Sequence, residues 1–165
     1  MDDATRLRAR AISEAGGIDA ALAKGNIDDI VEVSLSEGLV LGLLRQGVRK
    51  YFAIFGHGST DLGEVLRIYD EEGVTRTVNC RNEVEMAHAA TALSWQYGET
   101  CAVVTSIGPG ALQAMAGSLA AASNGVGVYH IYGDETTMGE GYNMQQIPKP
   151  QQGLFGQMGA LMGQS

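Results

Sequence analysis

Four short runs, Tyr51-Phe52-Ala53-Ile54-Phe55, Val74 to Val78, Cys101-Ala102-Val103-Val104 and Val126 to Tyr132, punctuate this sequence, and stretches of helical periodicity separate them. Ser34 to Gly47 puts Leu35, Leu39 and Leu43, with Val40 and Leu44, on one apolar helical face. Asp61 to Glu72 does the same with Leu62, Val65, Leu66 and Tyr69, and two alanine-rich stretches follow at Glu83 to Trp95 and Ala111 to Ser123. The order is α, then β-α-β-α-β-α-β. Such alternation implies a parallel sheet with helices on its faces. An uncharged strand such as 101–104 suits a sheet covered on both sides. The expected fold is therefore α/β, a three-layer α/β/α arrangement around a mostly parallel central sheet.

Residues 34 to 134 carry this core. Ahead of them, residues 1–33 read as an extension of short helices, broken at Gly16-Gly17 and at Lys24-Gly25-Asn26. Beyond Gly133-Asp134 the periodicity weakens, so 135–153 reads as a long loop or lid and 154–162 as a last short helix. Glycine accounts for 23 of 165 residues. These glycines fall at junctions between elements, where they serve turns rather than a linker.

The net charge of −8, with no basic cluster, disfavours nucleic acid and anionic membranes as partners. No apolar run reaches the roughly 18 residues needed to span a bilayer. The start, Met1-Asp2-Asp3, is unlike a signal peptide. Cys80 and Cys101 lack metal-ligand spacing and read as free thiols of a cytoplasmic protein.

The chemistry-bearing residues lie at the ends of the strand runs, where open α/β sheets place their sites. Glu83 opens a helix after the second run. An acid there is favoured by the helix dipole, yet Met86, Ala87, Ala89 and Ala90 surround it with apolar groups, and a half-buried carboxyl can serve as acid or base. Two glycine loops, Gly56-His57-Gly58-Ser59-Thr60 and Gly108-Pro109-Gly110, match neither G-x-G-x-x-G nor the P-loop. They are either tight strand-to-helix turns or backbone anion cradles. His57 lies in the first loop. His88 is off the i, i+4 register from Glu83, and His130, inside a strand, reads as a packed side chain. The small residues Ala87, Ala90, Ala114, Ala116 and Ala120 to Ala122 allow close helix approach, with a weak preference for a subunit interface over packing within the domain.

Three stretches together resemble a known family. Phe52-Ala53-Ile54-Phe55-Gly56-His57-Gly58-Ser59, Arg81-Asn82-Glu83 with Ala87-His88-Ala89-Ala90, and Thr105-Ser106-Ile107-Gly108-Pro109-Gly110-Ala111 are similar to the pyrimidine-binding (PYR) domain of thiamine-diphosphate enzymes. The likeness is to the acetolactate synthase and decarboxylase branch, above all to the trihydroxycyclohexanedione hydrolases of inositol catabolism. It would make 34–165 a PYR-type domain. The resemblance implies that Glu83 hydrogen-bonds N1′ of the aminopyrimidine and so promotes loss of the C2 proton. It implies that Thr105, Ser106, Gly108, Pro109 and Gly110 line the cofactor, and that His57 and Ser59 orient substrate or shuttle protons.

In the family, a second domain, the PP domain, begins Gly-Asp-Gly and holds magnesium and the diphosphate. This sequence has Gly133-Asp134-Glu135 instead, with no Asn at the matching spacing. The expectation is therefore a PYR subunit with no metal ligands of its own, active only with a PP-domain partner that holds Mg2+, in an α2β2 assembly. The expected reaction makes or breaks a C–C bond beside a carbonyl: decarboxylation of a 2-keto acid or carboligation, a lyase or transferase activity. Hydrolytic cleavage of a cyclic dione is one alternative, and a non-catalytic binding module of the same fold is another.

Overall fold

The computed structural model describes residues 2–134, 157, 159 and 160. The elements follow the anticipated order. They are α1 (Asp2–Ala15), α2 (Ile18–Ala23), α3 (Leu35–Arg45), β1 (Lys50–Ile54), α4 (Thr60–Glu71), β2 (Arg76–Asn79), α5 (Glu83–Tyr97), β3 (Ala102–Thr105), α6 (Pro109–Ser123) and β4 (Tyr129–Tyr132). The strands form one parallel sheet in the order β2-β1-β3-β4, with a helix in each connection. Ala102 stands opposite Tyr129, and Thr105 opposite Tyr132. This is the α/β/α arrangement that the alternation implied. The loop expected at 135–153 and the helix expected at 154–162 fall outside the described residues, apart from helical positions 157, 159 and 160.

Two strands start later than the apolar runs suggest. Val74 and Thr75 donate their N–H groups to the Tyr69 carbonyl, at 2.9 and 3.2 Å, so they still wrap the end of α4. Gly73, at φ +74°, turns the chain there. Val126 likewise donates to the Ala121 carbonyl at 3.0 Å, which ties 126 to the end of α6 and delays β4 to Tyr129. In both places helix C-terminal carbonyls take up amides that the composition alone assigns to a strand.

The chain divides into two compact units. The first comprises Met1–Tyr51 and Asp61–Thr77. It holds α1 to α4, so the N-terminal helices share a unit with α3 and α4. Ala9, Ile12, Val40, Leu43, Leu44, Leu66 and Ile68 are buried in it. At its centre is a carboxylate. Glu37, 2 % exposed, accepts from Thr5 Oγ1 (3.0 Å), from Arg8 Nε (2.8 Å) and Nη2 (3.0 Å), and from the Tyr69 hydroxyl (3.0 Å). The Ser34 hydroxyl caps α3 by accepting the Glu37 N–H at 3.2 Å. Arg6 and Arg10 add outer ion pairs to Glu71 and Glu72.

The second unit comprises Phe52–Thr60 and Val78–Ser165. Its core joins Met86 and Ala90 of α5, Cys101 and Val103 at β3, and Ala114 of α6, with Phe52, Ile54, Leu93 and Tyr132 packed around them. The small residues work inside this unit. Ala87, Ala90, Ala114 and Ala121 are buried, while Ala116 is exposed. A Cβ on Gly117 would stand 2.7 Å from the Val84 carbonyl oxygen and 2.8 Å from the Ala87 Cβ. The alanines therefore chiefly serve close packing of α5 on α6. The weak preference for an interface gives way here, because most of these side chains are already covered. His130 is also packed, with Nδ1 3.1 Å from the Tyr132 hydroxyl and the two rings edge to face.

Two outcomes follow from the buried ionisable groups. Burial works to raise the Glu37 pKa, but hydrogen bonds from Arg8, Thr5 and Tyr69 outweigh it and hold the carboxyl below its ordinary value. Its contribution is full above the free glutamate pKa of about 4.3 and is lost as pH falls through the lowered folded value. Glu37→Gln strands Arg8 and is expected to cost about 3 kcal/mol at neutral pH, read by urea unfolding. His130 behaves differently, because burial pushes its imidazole down to about 4. Between about 6.5 and about 4 the unfolded chain binds a proton that the folded chain does not. Stability should fall as pH is lowered through that window. In His130→Phe the midpoint of unfolding should show a flatter dependence on pH across it.

Candidate active site

Four loops of the second unit leave the carboxyl ends of the strands. Residues 55–59 follow β1, 80–82 follow β2, 106–108 follow β3, and Gly133-Asp134 follow β4. Main-chain bonds zip them together. Ser106 N–H donates to the Ile54 carbonyl (3.2 Å), Ile107 N–H to His57 (3.1 Å), Gly133 N–H to Thr105 (3.1 Å) and Cys80 N–H to Ala53 (3.4 Å).

Glycine makes the approach possible. A Cβ on Gly58 would lie 2.4 Å from Ile107 Cγ2 and 2.7 Å from the Asp134 carbonyl oxygen, and its φ is +79°. A Cβ on Gly133 would lie 2.9 Å from the Gly58 carbonyl carbon. The loops 56–60 and 108–110 are tight strand-to-helix turns, with positive φ at Gly58 and Gly108. Gly108 occupies φ 58° as the residue before α6, and Pro109 starts the helix with a missing N–H that no intrahelical bond requires. Helix α6 therefore begins two residues earlier than the alanine pattern suggests, and Gly110 sits in its first turn.

This earlier start brings the two sequence signals together. A Cβ on Gly110 would stand 3.1 Å from Glu83 Oε1 and 2.6 Å from Ser106 Oγ. The carboxylate of α5 and the hydroxyl after β3 thus face the same bare backbone position. Glu83 is half-buried, and among the described residues none hydrogen-bonds its carboxylate. Gly108 and Gly110 are buried and Pro109 is exposed.

The remaining expected residues have different settings. Ser59 is 3 % exposed. Its hydroxyl closes its own turn, accepting the Gly56 N–H and donating to the Gly56 carbonyl, each at 3.2 Å. His57 is exposed beside it on the same loop. Thr105 is fully buried, and its hydroxyl has no hydrogen-bond partner among the described residues. Its carbonyl ties down Gly133. His88 lies on the exposed side of α5 with Glu85. Asn82, which the sequence reading passed over, caps α5 by accepting the Glu85 N–H at 2.8 Å. The Asn82-x-x-Glu85 spacing ahead of an apolar stretch is the signal that marks such a cap.

Chemically, the arrangement offers a half-buried carboxylate and a hydroxyl packed against a backbone position too tight for a methyl group. A carboxylate with no hydrogen-bond partner among the described residues can accept a hydrogen bond from a ligand.

The family described as "Thiamine pyrophosphate enzyme, N-terminal TPP binding domain" matches residues 33–154. The chain is 38 % identical over 89 residues to a 3D-(3,5/4)-trihydroxycyclohexane-1,2-dione hydrolase of Bacillus subtilis, covering 53 % of this chain and 14 % of that protein. It is 33 % identical over 96 residues to the protein of that name from Geobacillus thermodenitrificans (56 % and 15 %). It is 36 % identical over 86 residues to the one from Clostridium perfringens (50 % and 13 %). The aligned stretch is thus about one-seventh of the length of these relatives.

Gly110→Ala tests this close approach directly. The Ser106 hydroxyl can rotate away, but the new methyl stays against Glu83. The variant is expected to fold with a loss of about 1 kcal/mol, and calorimetry on the chain mixed with a PP-type partner and Mg2+ should show thiamine diphosphate affinity falling at least about ten-fold, a larger effect of about 1.4 kcal/mol.

Proposed function

The chain belongs to the thiamine pyrophosphate enzyme family, as its N-terminal TPP-binding domain, and from that premise we propose that Glu83 is the carboxylate that serves the cofactor's aminopyrimidine in a two-component enzyme. The observation that carries this reading is the placement of Glu83 Oε1 and Ser106 Oγ around the bare Gly110 position. Glu83 would hold the ring nitrogen N1′ by a hydrogen bond from its carboxyl. Ser106, Gly108 and Gly110 are the neighbouring residues that would help hold the aminopyrimidine. When bound, thiamine diphosphate supplies an electron sink for making or breaking a C–C bond next to a carbonyl. His57, exposed on the first loop, is the side chain assigned here to meet substrate, whereas the Ser59 hydroxyl shapes the loop that carries it.

The substrate in this reading is a small carbonyl compound or 2-keto acid, with decarboxylation or carboligation as the outcome. The diphosphate and Mg2+ belong to a PP-domain partner subunit in an α2β2 assembly. A second reading, hydrolytic cleavage of a cyclic dione, draws on the names of the relatives, which are trihydroxycyclohexanedione hydrolases. Turnover of a 2-keto acid panel and of a cyclic dione separates the two.

The test is Glu83→Gln in the chain assembled with its PP-type partner. Turnover is expected to drop by about 10²–10⁴, with the thermal midpoint of the lone chain nearly unchanged. Turnover within a few-fold of wild type would remove Glu83 from catalysis.

A further inference from the structure

The proton-sharing role of Glu83 demands that its carboxylate stay where Gly110 leaves room for it. Glu83 is the first residue of α5, and helix ends fray unless something holds them. Two residues outside the cofactor gap hold this one. Asn82 is extended (φ −153°, ψ 162°), and its side-chain oxygen accepts the Glu85 N–H at 2.8 Å. That bond fixes the turn in which Glu83 is the first residue. On the flank, α6 presses on the next residue. A Cβ on Gly117 would meet the Val84 carbonyl oxygen at 2.7 Å, the Val84 Cα at 3.3 Å and the Ala87 Cβ at 2.8 Å. Gly117 is buried in mid-helix, where glycine is disfavoured relative to alanine and so needs a packing reason. The reason here is contact with the first turn of α5. Gly110 and Gly117 lie on the same helix, so α6 meets α5 at the Glu83 carboxylate and again at the backbone just behind it.

We propose that Asn82 and Gly117 are positioning residues for Glu83, one capping and one wedging the turn that aims its carboxylate. This rests on the reading of Glu83 as the proton partner of the aminopyrimidine. Neither residue touches the reacting atoms. A side chain displaced by about 1 Å from a productive geometry can lose about 10²-fold in rate, so a loosened turn should weaken proton sharing without unfolding the unit.

The experiment compares Asn82→Ala, Asn82→Ser, Gly117→Ala and Glu83→Gln. In the lone chain, amide hydrogen exchange at Glu85 reports the cap without any cofactor. In the assembled enzyme with thiamine diphosphate and magnesium, the exchange rate of the cofactor's C2 proton reports Glu83 without any substrate. Asn82→Ala should speed Glu85 amide exchange about five-fold and slow C2 exchange by about 10- to 100-fold. Asn82→Ser, which can still cap, should restore both to within about two-fold. Gly117→Ala should slow C2 exchange to a similar degree. If it fails to fold, the alanine and serine variants at 82 decide the matter. C2 exchange within two-fold of wild type in Asn82→Ala, alongside a large loss in Glu83→Gln, overturns the positioning role while leaving Glu83 catalytic. Wild-type C2 exchange in Glu83→Gln itself overturns the underlying reading, and the positioning role with it.

Discussion

The carboxyl end of the sheet depends on backbone meeting backbone with no side chain between. Gly58 and Gly133 approach so closely that a methyl on either would collide with the main chain or side chain of the other loop. Close-packed interiors tolerate such overlap poorly. The consequence runs outward. With the loops after β1 and β4 pressed together, the Ile107 N–H reaches the His57 carbonyl and the loop after β3 is pinned between them. That in turn sets where α6 begins, and α6 sets the space into which Glu83 looks. A site built this way owes its shape to absent atoms as much as to present ones.

The two units solve the problem of polar burial in opposite ways. In the first, Glu37 is buried with donors from three side chains, and its charge is fully engaged. Removing one partner of such a group costs more than the group contributes on balance, which makes the cluster a specifier of one arrangement of α1, α3 and α4. In the second, Glu83 is half-buried with its carboxylate left open among the described residues. The Glu37 carboxylate is structural, whereas that of Glu83, at the start of α5, has no comparable ring of donors among the described residues.

Much of this was legible in the sequence. Helical periodicity marked α3 and α4, alanine-rich stretches marked α5 and α6, and short apolar runs marked the four strands, of which β3 is buried at every position. Errors of two and three residues arose where helix ends compete for amides: Val126 has strand chemistry, yet the Ala121 carbonyl claims it. Glu83 and the Gly108–Gly110 turn were visible as separate signals, but their meeting was not, since it depends on Pro109 starting α6. Ser59 looked like a site hydroxyl from its loop, and only coordinates show it bonded to Gly56. Asn82 carried a readable capping pattern that a reading focused on acids and histidines passes over. Gly117 carried no local signal, because its neighbour lies on another helix.

Helix α5 has one further property. It begins with Glu83 and, close to its end, carries Trp95, the single tryptophan of the chain, which is 61 % exposed. Twelve residues of helix put the two about 18 Å apart. The protein therefore holds its only indole on the same helix as Glu83, about three turns from it. Its fluorescence emission will be that of a wet indole. It serves as an internal optical gauge, shifting to the blue when another surface closes over the far half of α5 and indifferent to small changes beside Glu83.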